Sequence, residues 1–379
     1  MQKGTRAGMV VAGVYNPCVD RIDVRTDAPA PEALADAVRV LQAGGLVAFP
    51  TETVYGLCVD PRNRAAVERL YAVKGREAAK ASAYLLADRA AAERLAGGLP
   101  PLAARIADRF WPGPVTLVVP GRREGRWVGL RVPAPALPRR LAAAFGGPLL
   151  QTSANRSGEP AALNAAGVRA ALGGDIELLL DGGRTPGGRS STVVRCDARR
   201  FGILRRGAVP PAAIVRAATE LILVACTGNL CRSPVAEAML RAELAVRLGC
   251  EVSELARHGY RIGSFGTMAM PGYPATDHSV TCAADLGLDL SQHRSRPFSI
   301  GLLERAHRVF CMANGHMEFL RPYFDGREDD LQLLDPDGKE IRDPYRKPLK
   351  VYRRTTEQIA KAVEARVDEI LGIDDDAEE

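Results

Sequence analysis

An α/β protein of two domains is predicted by three observations. The chain has 379 residues, more than one hydrophobic core usually organises. Apolar runs of strand length alternate with segments of helical periodicity, the pattern of sheets covered by helices. That alternation breaks at Pro210-Pro211 and then restarts. Composition agrees: 46% hydrophobic and 25% charged residues, with mean hydropathy near zero, suit a soluble globular protein. They exclude collagen-like, disordered and multi-span membrane classes, and no apolar run reaches the roughly 20 residues of a bilayer helix.

Residues 1–30 open with Lys3, Arg6 and AGMVVAGV. That apolar run is short for a secretion signal and meets Cys18, Asp20 and Arg21 instead of a small-residue cleavage site, so 1–30 reads as an extension of unknown role. PEALADAVRVLQAG then has helical spacing and ends at Gly44-Gly45, and LVAFP follows as a buried strand. The order continues with helix RAAVERLYAVK, strand SAYLLA, helix PLAARIADRF, strands VTLVVP and GLRVP, helix LPRRLAAAF and strand PLLQTSA. After the prolines come a short helix, AAIVRAATE, and LILVAC, an apolar run suited to a buried parallel strand. Helix VAEAMLRAELAVRL, strand YRIGSFG, helix HSVTCAADLG, strand RVFCM and helix TTEQIAKAVEARVDEIL complete the chain. The domains are expected at 31–215 and 220–373, with 374–379 a solvated acidic tail.

A net charge of +6 permits phosphate-bearing partners without demanding nucleic acid. The eight cysteines are scattered, with no CxxC pair and no His at finger spacing. Neither a metal site nor a disulfide framework is indicated, and a reducing cytoplasm is expected. Lysine is scarce: before Lys339 there are only Lys3, Lys74 and Lys80.

The most specific signal is CTGNLCRSP (226–234), set between a strand and a helix. Such a loop, with Ser233 as helix cap and Pro234 in the first turn, turns backbone N–H groups and a helix N-terminus toward one point, where a phosphate dianion fits. The same N–H groups and Arg232 would lower the pKa of a thiol at Cys226. Arg232 offers a planar fork for phosphoryl oxygens. Nucleophile, clamp and cradle together point to phosphoryl transfer through a phosphocysteine. The plain alternative is a buried strand-end cysteine and an unrelated arginine.

With IGSFGT, GLDLSQHRSRPF, RVFCMANGHMEFL and IRDPYRKP, residues 221–371 resemble the low-molecular-weight protein tyrosine phosphatase family. The resemblance implies a four-stranded parallel sheet flanked by helices and no cofactor. It makes Cys226 the nucleophile, Arg232 the transition-state clamp and Asp343 the acid that protonates the leaving group, with Gly228, Asn229 and Ser233 supporting the loop. A phosphorylated protein is the implied substrate. Leu230 is apolar, as in tyrosine-directed members, whereas the related arginine phosphatases carry Thr there. FGTMAMPGYPATDHS lacks the aromatic that many tyrosine-directed members use, with Met270 near that place. Phosphotyrosine is preferred, phosphoarginine being the alternative. Arsenate reductases share the fold and relay through further cysteines, but Cys282 and Cys311 sit in core-like contexts.

In the first half, PTETVYGL (50–57) sets hydroxyls and an aromatic in a turn after a strand, suited to a small polar ligand or simply to capping a helix. In KGREAAK, two of the rare lysines flank Arg76, as triphosphate oxygens would require. DGGRTPGGRSSTVV differs from a Walker A loop by Arg for Lys, but STVV continues as a strand where that cradle needs a helix. Its glycines suit a close approach to the sheet. Together with FWPGPVTLVV, GLRVP, QTSANRSGEP and ILRRGAV, these motifs resemble the YrdC-like threonylcarbamoyl-AMP synthase family over 31–214.

That resemblance implies a twisted α/β fold with a concave basic cavity. It also implies a reaction joining L-threonine, bicarbonate and ATP, with magnesium, into threonylcarbamoyl-AMP and pyrophosphate, for a downstream tRNA threonylcarbamoyl-transferase. Lys74, Arg76, Thr116, Asn155 and Arg205 would contact ATP; Thr51, Arg131, Ser153 and Ser191 would hold threonine. Many members have prolines after KGR, and some a His in the next strand; here Glu77, Ala81-Ser82 and Leu85 stand there. Two rivals remain for this half: a carbamoyl-transfer module, and a nucleotide- or RNA-binding platform without synthase activity. Neither membrane nor DNA is an expected partner.

Overall fold

The computed structural model describes residues 19–24, 31–75 and 82–372. The expectations on the 1–18 stretch, on Arg76, Glu77 and Ala81, and on the acidic tail lie outside these residues. The chain divides into two compact units, one of residues up to 198 with 202–214, the other of 199–201 with 215 onward.

The strands of the first unit are β1 (Asp20–Asp23), β2 (Val47–Phe49), β3 (Gly56–Val59), β4 (Ala83–Leu85), β5 (Val115–Pro120), β6 (Trp127–Arg131), β7 (Leu149–Ser153), β8 (Leu178–Asp181), β9 (Thr192–Cys196) and β10 (Phe201–Arg205). They form one mixed sheet in the order β1-β8-β2-β3-β7-β4-β6-β5-β9-β10. Its helices are α1 (Pro31–Gln42), α2 (Arg64–Lys74), α3 (Arg89–Ala96), α4 (Pro101–Phe110), α5 (Ala136–Phe145) and α6 (Ala165–Leu172). Asn63, Asp88 and Asn164 start α2, α3 and α6 by accepting an N–H of the first turn, the standard use of these residues at a helix start. Strand alternation places Leu57 and Val59 with Leu70, Leu150 and Leu172 on one face. Cys58 joins Phe49, Leu41, Leu141 and Phe145 on the other, so both faces of the sheet are covered.

One boundary is corrected. The strand Asp20–Asp23 pairs in parallel with β8, and Arg21 Nε donates to Asp181 Oδ2 at 2.8 Å, so these residues belong to the sheet and not to an extension. The strand is four residues long, polar and mostly exposed, and an edge strand of that kind has no apolar alternation to read. Helices α3 and α6 and strand β8 also escape the pattern reading, each being eight residues or fewer.

Helix α7 (Pro211–Ala218) precedes the second unit's strands β11 (Glu220–Cys226), β12 (Tyr260–Gly266), β13 (Arg308–Cys311) and β14 (Leu331–Leu333). They pair in parallel in the order β12-β11-β13-β14. Helices α8 (Arg232–Leu248), α9 (Asp277–Ala284), α10 (Ile300–Leu303), α11 (Asn314–Leu320) and α12 (Leu349–Leu371) flank this sheet. Ile222, Val224 and Phe310 pack with α8 and α12, while Leu223, Ala225 and Val309 face Leu303, Leu320 and Phe324. A central strand buried on both faces explains the unbroken apolar run LILVAC. Among the described residues no helix is long and apolar enough to cross a membrane.

Candidate functional site

Strand β11 ends at Cys226, and residues 227–231 turn the chain into α8. Asn229 makes this turn possible by taking a left-handed φ of +53°, a conformation asparagine tolerates better than most residues. Its backbone N–H donates to Cys226 Sγ at 3.2 Å. Its side-chain amide donates to Ser233 Oγ at 2.9 Å and to Ser264 Oγ at 2.8 Å, and its Oδ1 accepts from Arg296 N at 2.8 Å. Ser233 Oγ lies 3.0 Å from Cys226 Sγ. That oxygen accepts from Asn229 and keeps its own hydrogen, so it is able to donate to the sulfur when the thiol is ionised. Gly266, ending β12, is required here: a Cβ would fall 2.6 Å from Thr227 O and 2.9 Å from Asn229 N.

The expected cap is corrected. Helix α8 begins at Arg232 with Cys231 in the cap position and no side-chain cap bond. Ser233 lies inside the first turn, where its hydroxyl serves the thiol. The first-turn N–H groups therefore stay available to the loop's concavity.

Arg232 is buried, donates to Asp343 Oδ2 at 2.7 Å and to Ile341 O at 3.2 Å, and keeps a buried Nε without a partner among the described residues. Asp343 is half exposed and also accepts Tyr345 N at 3.1 Å. Thr227 Oγ1 lies 2.9 Å from His316 Nε2 and 3.4 Å from Arg232 Nη2. Burial, and then the charge of Arg232, push the pKa of His316 down to about 4. Ser264, His293, whose Nε2 lies 2.8 Å from Asn229 O, and His316 were not singled out from the sequence: each lies inside a motif of the resemblance, but its contact is with a distant element. Met270 is exposed, as is Met268. Cys282 and Cys311 are buried, and burial pushes both thiols up, the opposite of what a redox relay needs.

In the first unit, Thr51, Lys74, Thr116, Arg131, Ser153, Asn155, Ser191 and Arg205 line a single cavity of about 250 Å³. Thr51 sits in a turn where its hydroxyl donates to Val54 O at 2.6 Å. Arg131, at the end of β6, donates to Thr53 Oγ1 at 2.7 Å and Glu52 Oε1 at 3.0 Å, and its Nε is buried without a partner among the described residues. Thr116 Oγ1 and Ser191 Oγ lie 2.8 Å apart, and Arg205 grips Ser191 O at 3.0 Å and Oγ at 3.1 Å. The Lys74 ammonium is buried and donates to Ser153 O at 2.6 Å, to Asn155 Oδ1 at 3.0 Å and to Asn155 O. It ties the end of α2 to the end of β7, so contact with a ligand requires one of these bonds to be exchanged. Ser82 also lines the cavity; its hydroxyl is buried without a partner among the described residues.

The glycine-rich segment runs into strand β9 and not into the helix start that a Walker A cradle needs. Its glycines press against the 50–53 turn. A Cβ on Gly187 would fall 2.5 Å from Glu52 O, and one on Gly182 2.6 Å from the Pro50 ring. Gly188 N donates to Thr53 O at 3.0 Å. Tyr55 OH closes the turn from beneath, donating to Gly183 O at 2.7 Å.

Comparison with known proteins divides the chain at the same place. Residues 39–207 match the Sua5/YciO/YrdC family model, described as telomere recombination, and residues 221–372 match that of low molecular weight phosphotyrosine protein phosphatases. The threonylcarbamoyl-AMP synthase of Chromohalobacter salexigens is 44% identical over 171 residues, 43% of this chain and 91% of the relative. That of Halorhodospira halophila is 40% identical over 187 residues, 46% of this chain and 95% of the relative. Among solved structures, the low molecular weight protein tyrosine phosphatase of T. tengcongensis is 28% identical, covering 40% of this chain and 99% of its own, with a TM-score of 0.36.

Proposed function

Because the chain belongs to the threonylcarbamoyl-AMP synthase family through its first unit and carries a low molecular weight phosphatase domain in its second, we propose a cytoplasmic bifunctional enzyme. The first unit joins L-threonine, bicarbonate and ATP into threonylcarbamoyl-AMP and pyrophosphate, to be consumed by a downstream tRNA-modifying transferase. The observation that supports this is the convergence of residues from Thr51 to Arg205 on one cavity. Arg131, lining the cavity at the end of β6, takes the threonine carboxylate. Thr116 and Ser191, in contact, mark where the threonine and nucleotide subsites meet. Lys74, Asn155 and Arg205 take the ATP. Magnesium brought with ATP would supply charge neutralisation on the phosphates beside Lys74 and Arg205. Positioning and charge neutralisation carry the reaction: the threonine carbamate oxygen attacks the α-phosphorus and pyrophosphate leaves.

The second unit hydrolyses phosphate monoesters, supported by the donors ranged around Cys226 Sγ. Arg232 exchanges Asp343 for two phosphoryl oxygens when substrate binds. The Cys226 thiolate attacks phosphorus, the ester oxygen leaves with the Asp343 proton, and a phosphocysteine remains. Asp343, now a carboxylate, takes a proton from water as that water attacks phosphorus, and thiolate and phosphate are regenerated. Apolar Leu230 on the loop favours protein phosphotyrosine as substrate.

Two assays test these readings. ATP, bicarbonate and labelled threonine should yield threonine-dependent pyrophosphate; its absence removes the synthase reading. A phosphotyrosine peptide should be hydrolysed faster than a phosphoarginine peptide of otherwise the same sequence; the reverse order moves the substrate to phosphoarginine.

A further inference from the structure

Outside the thiol cradle, the second unit has a groove of about 1000 Å³ along the outer edge of β12, bounded by α8 and the 252–258 turn. β12 pairs with β11 on one side only. Its even-numbered residues turn their backbone groups outward. Ile262 O receives Arg241 Nη2 at 3.0 Å, and Gly266 exchanges bonds with Arg296 O and Phe298 N at 2.8 and 3.1 Å. At Gly266 the 296–298 segment already adds to this edge as a parallel bridge. Ile262 and Ser264 continue the row into the groove, ready for an extended chain.

The groove is strongly basic. Arg241, Arg261, Arg294, Arg296 and Arg305 line it against two carboxylates, Glu237 and Asp289. Both carboxylates are engaged, Asp289 by Ser291 and Glu237 by Arg241 at 3.0 Å. Arg261 and Arg296 have no ion pair among the described residues. Charge complementarity selects an acidic occupant.

The same wall reaches the nucleophile. Glu237 Oε2 accepts the Ser264 hydroxyl at 2.6 Å, Ser264 Oγ accepts Asn229 at 2.8 Å, Asn229 donates to Ser233 at 2.9 Å, and Ser233 lies 3.0 Å from Cys226 Sγ. A carboxylate at one end thus orients the Ser264 hydroxyl, and a continuous chain of contacts runs from it to the sulfur.

We propose that this groove binds an extended acidic peptide segment as an added strand on β12, and that its occupancy raises phosphatase turnover. A peptide carboxylate draws Arg241 off Glu237 and off Ile262 O. The freed carbonyl joins the new ladder, and Glu237, no longer neutralised, holds Ser264 more strongly and tightens the chain of donors on Cys226. The effect on turnover rests on the phosphatase reading; binding does not.

The test is titration of the full chain with fluorescein-labelled hexaglutamate, following anisotropy, aryl phosphate turnover and backbone amide exchange across 260–266. Saturable binding, slowed exchange at Ile262 and Ser264, and a kcat raised about threefold, on the scale of a weak allosteric coupling, are expected. Arg261→Glu with Arg305→Glu should weaken binding about tenfold or more, as reversed rim charges do, at unchanged basal turnover. Glu237→Gln should keep binding and lose the rise in kcat. Absence of binding, displacement by inorganic phosphate at the cradle, or equal binding by polyphosphate without slowed exchange overturns the strand-addition site. Binding with unaltered kcat overturns the relay. A chain that binds hexaglutamate but hydrolyses no aryl phosphate refutes the phosphatase reading and leaves the groove standing.

Discussion

In the second unit, the thiol, the two groups in contact with it, Asn229 N and Ser233 Oγ, and the Arg232 clamp all lie within residues 226–233, on one turn between β11 and α8. In the first unit, the cavity draws single side chains from strand ends and loops between Thr51 and Arg205. The cradle is a piece of backbone geometry, and its chemistry is concentrated in one sulfur. The cavity is a product of the whole sheet, and its chemistry is distributed over many weak contacts. Substitutions should therefore act differently: on kcat, and steeply, in the cradle; on KM or on folding, and gradually, in the cavity.

The largest effect should come from Cys226→Ser. Losing the nucleophile should cost on the order of 10⁴-fold or more in aryl phosphate turnover, while threonine-dependent pyrophosphate release stays at the wild-type rate. Residual turnover near wild type would mean that the thiol is not the attacking group. Asp343→Asn should lower kcat by about 10²- to 10³-fold, the scale of general acid catalysis. The loss should shrink as the leaving group is made more acidic; a loss independent of the leaving group would assign Asp343 only to holding Arg232.

On the cavity side, Arg131→Lys retains the charge and loses the fork. The KM for threonine should rise about tenfold or more, the worth of one charge-assisted hydrogen bond, with the KM for ATP unchanged. Equal changes in both would place Arg131 outside the threonine subsite. Gly187→Ala tests the distributed side at a residue that touches no ligand. Its Cβ would collide with Glu52 O at 2.5 Å, so the 50–53 turn must shift, at about 1–3 kcal/mol. Chemical denaturation should report that loss, and a higher threonine KM should accompany it.

The same contrast governs what could be read in advance. The cradle was legible because strand, loop and helix start are contiguous, so CTGNLCRSP carries its own structural context. Even there, the role of Ser233 was misplaced, since a serine at a helix start reads as a cap and only the folded loop sets its hydroxyl between Asn229 and the sulfur. The cavity's residues were found as motifs, but their grouping depends on a strand order, β3-β7-β4-β6-β5-β9, that no local pattern encodes. Polar edge strand β1 and the second ring of Ser264, His293 and His316 were illegible for the same reason: their partners lie 35 to 160 positions away.

The smallest effect falls on that second ring and is read in acid. His316 is buried beside Arg232, and its pKa is pushed down to about 4 from an ordinary 6.5. The unfolded chain binds the proton first, so between pH 6.5 and 4 it holds more protons than the folded one, and stability falls as pH falls through that window. Neutral His316 keeps Thr227 in place beside Arg232. Protonation would set a second cation against the clamp. His316→Gln retains a hydrogen-bonding group for Thr227 and cannot ionise. Its stability should decline less than that of the wild type between pH 6.5 and 4, with turnover at neutral pH nearly preserved. Parallel pH profiles for the two proteins would show that His316 does not titrate on unfolding.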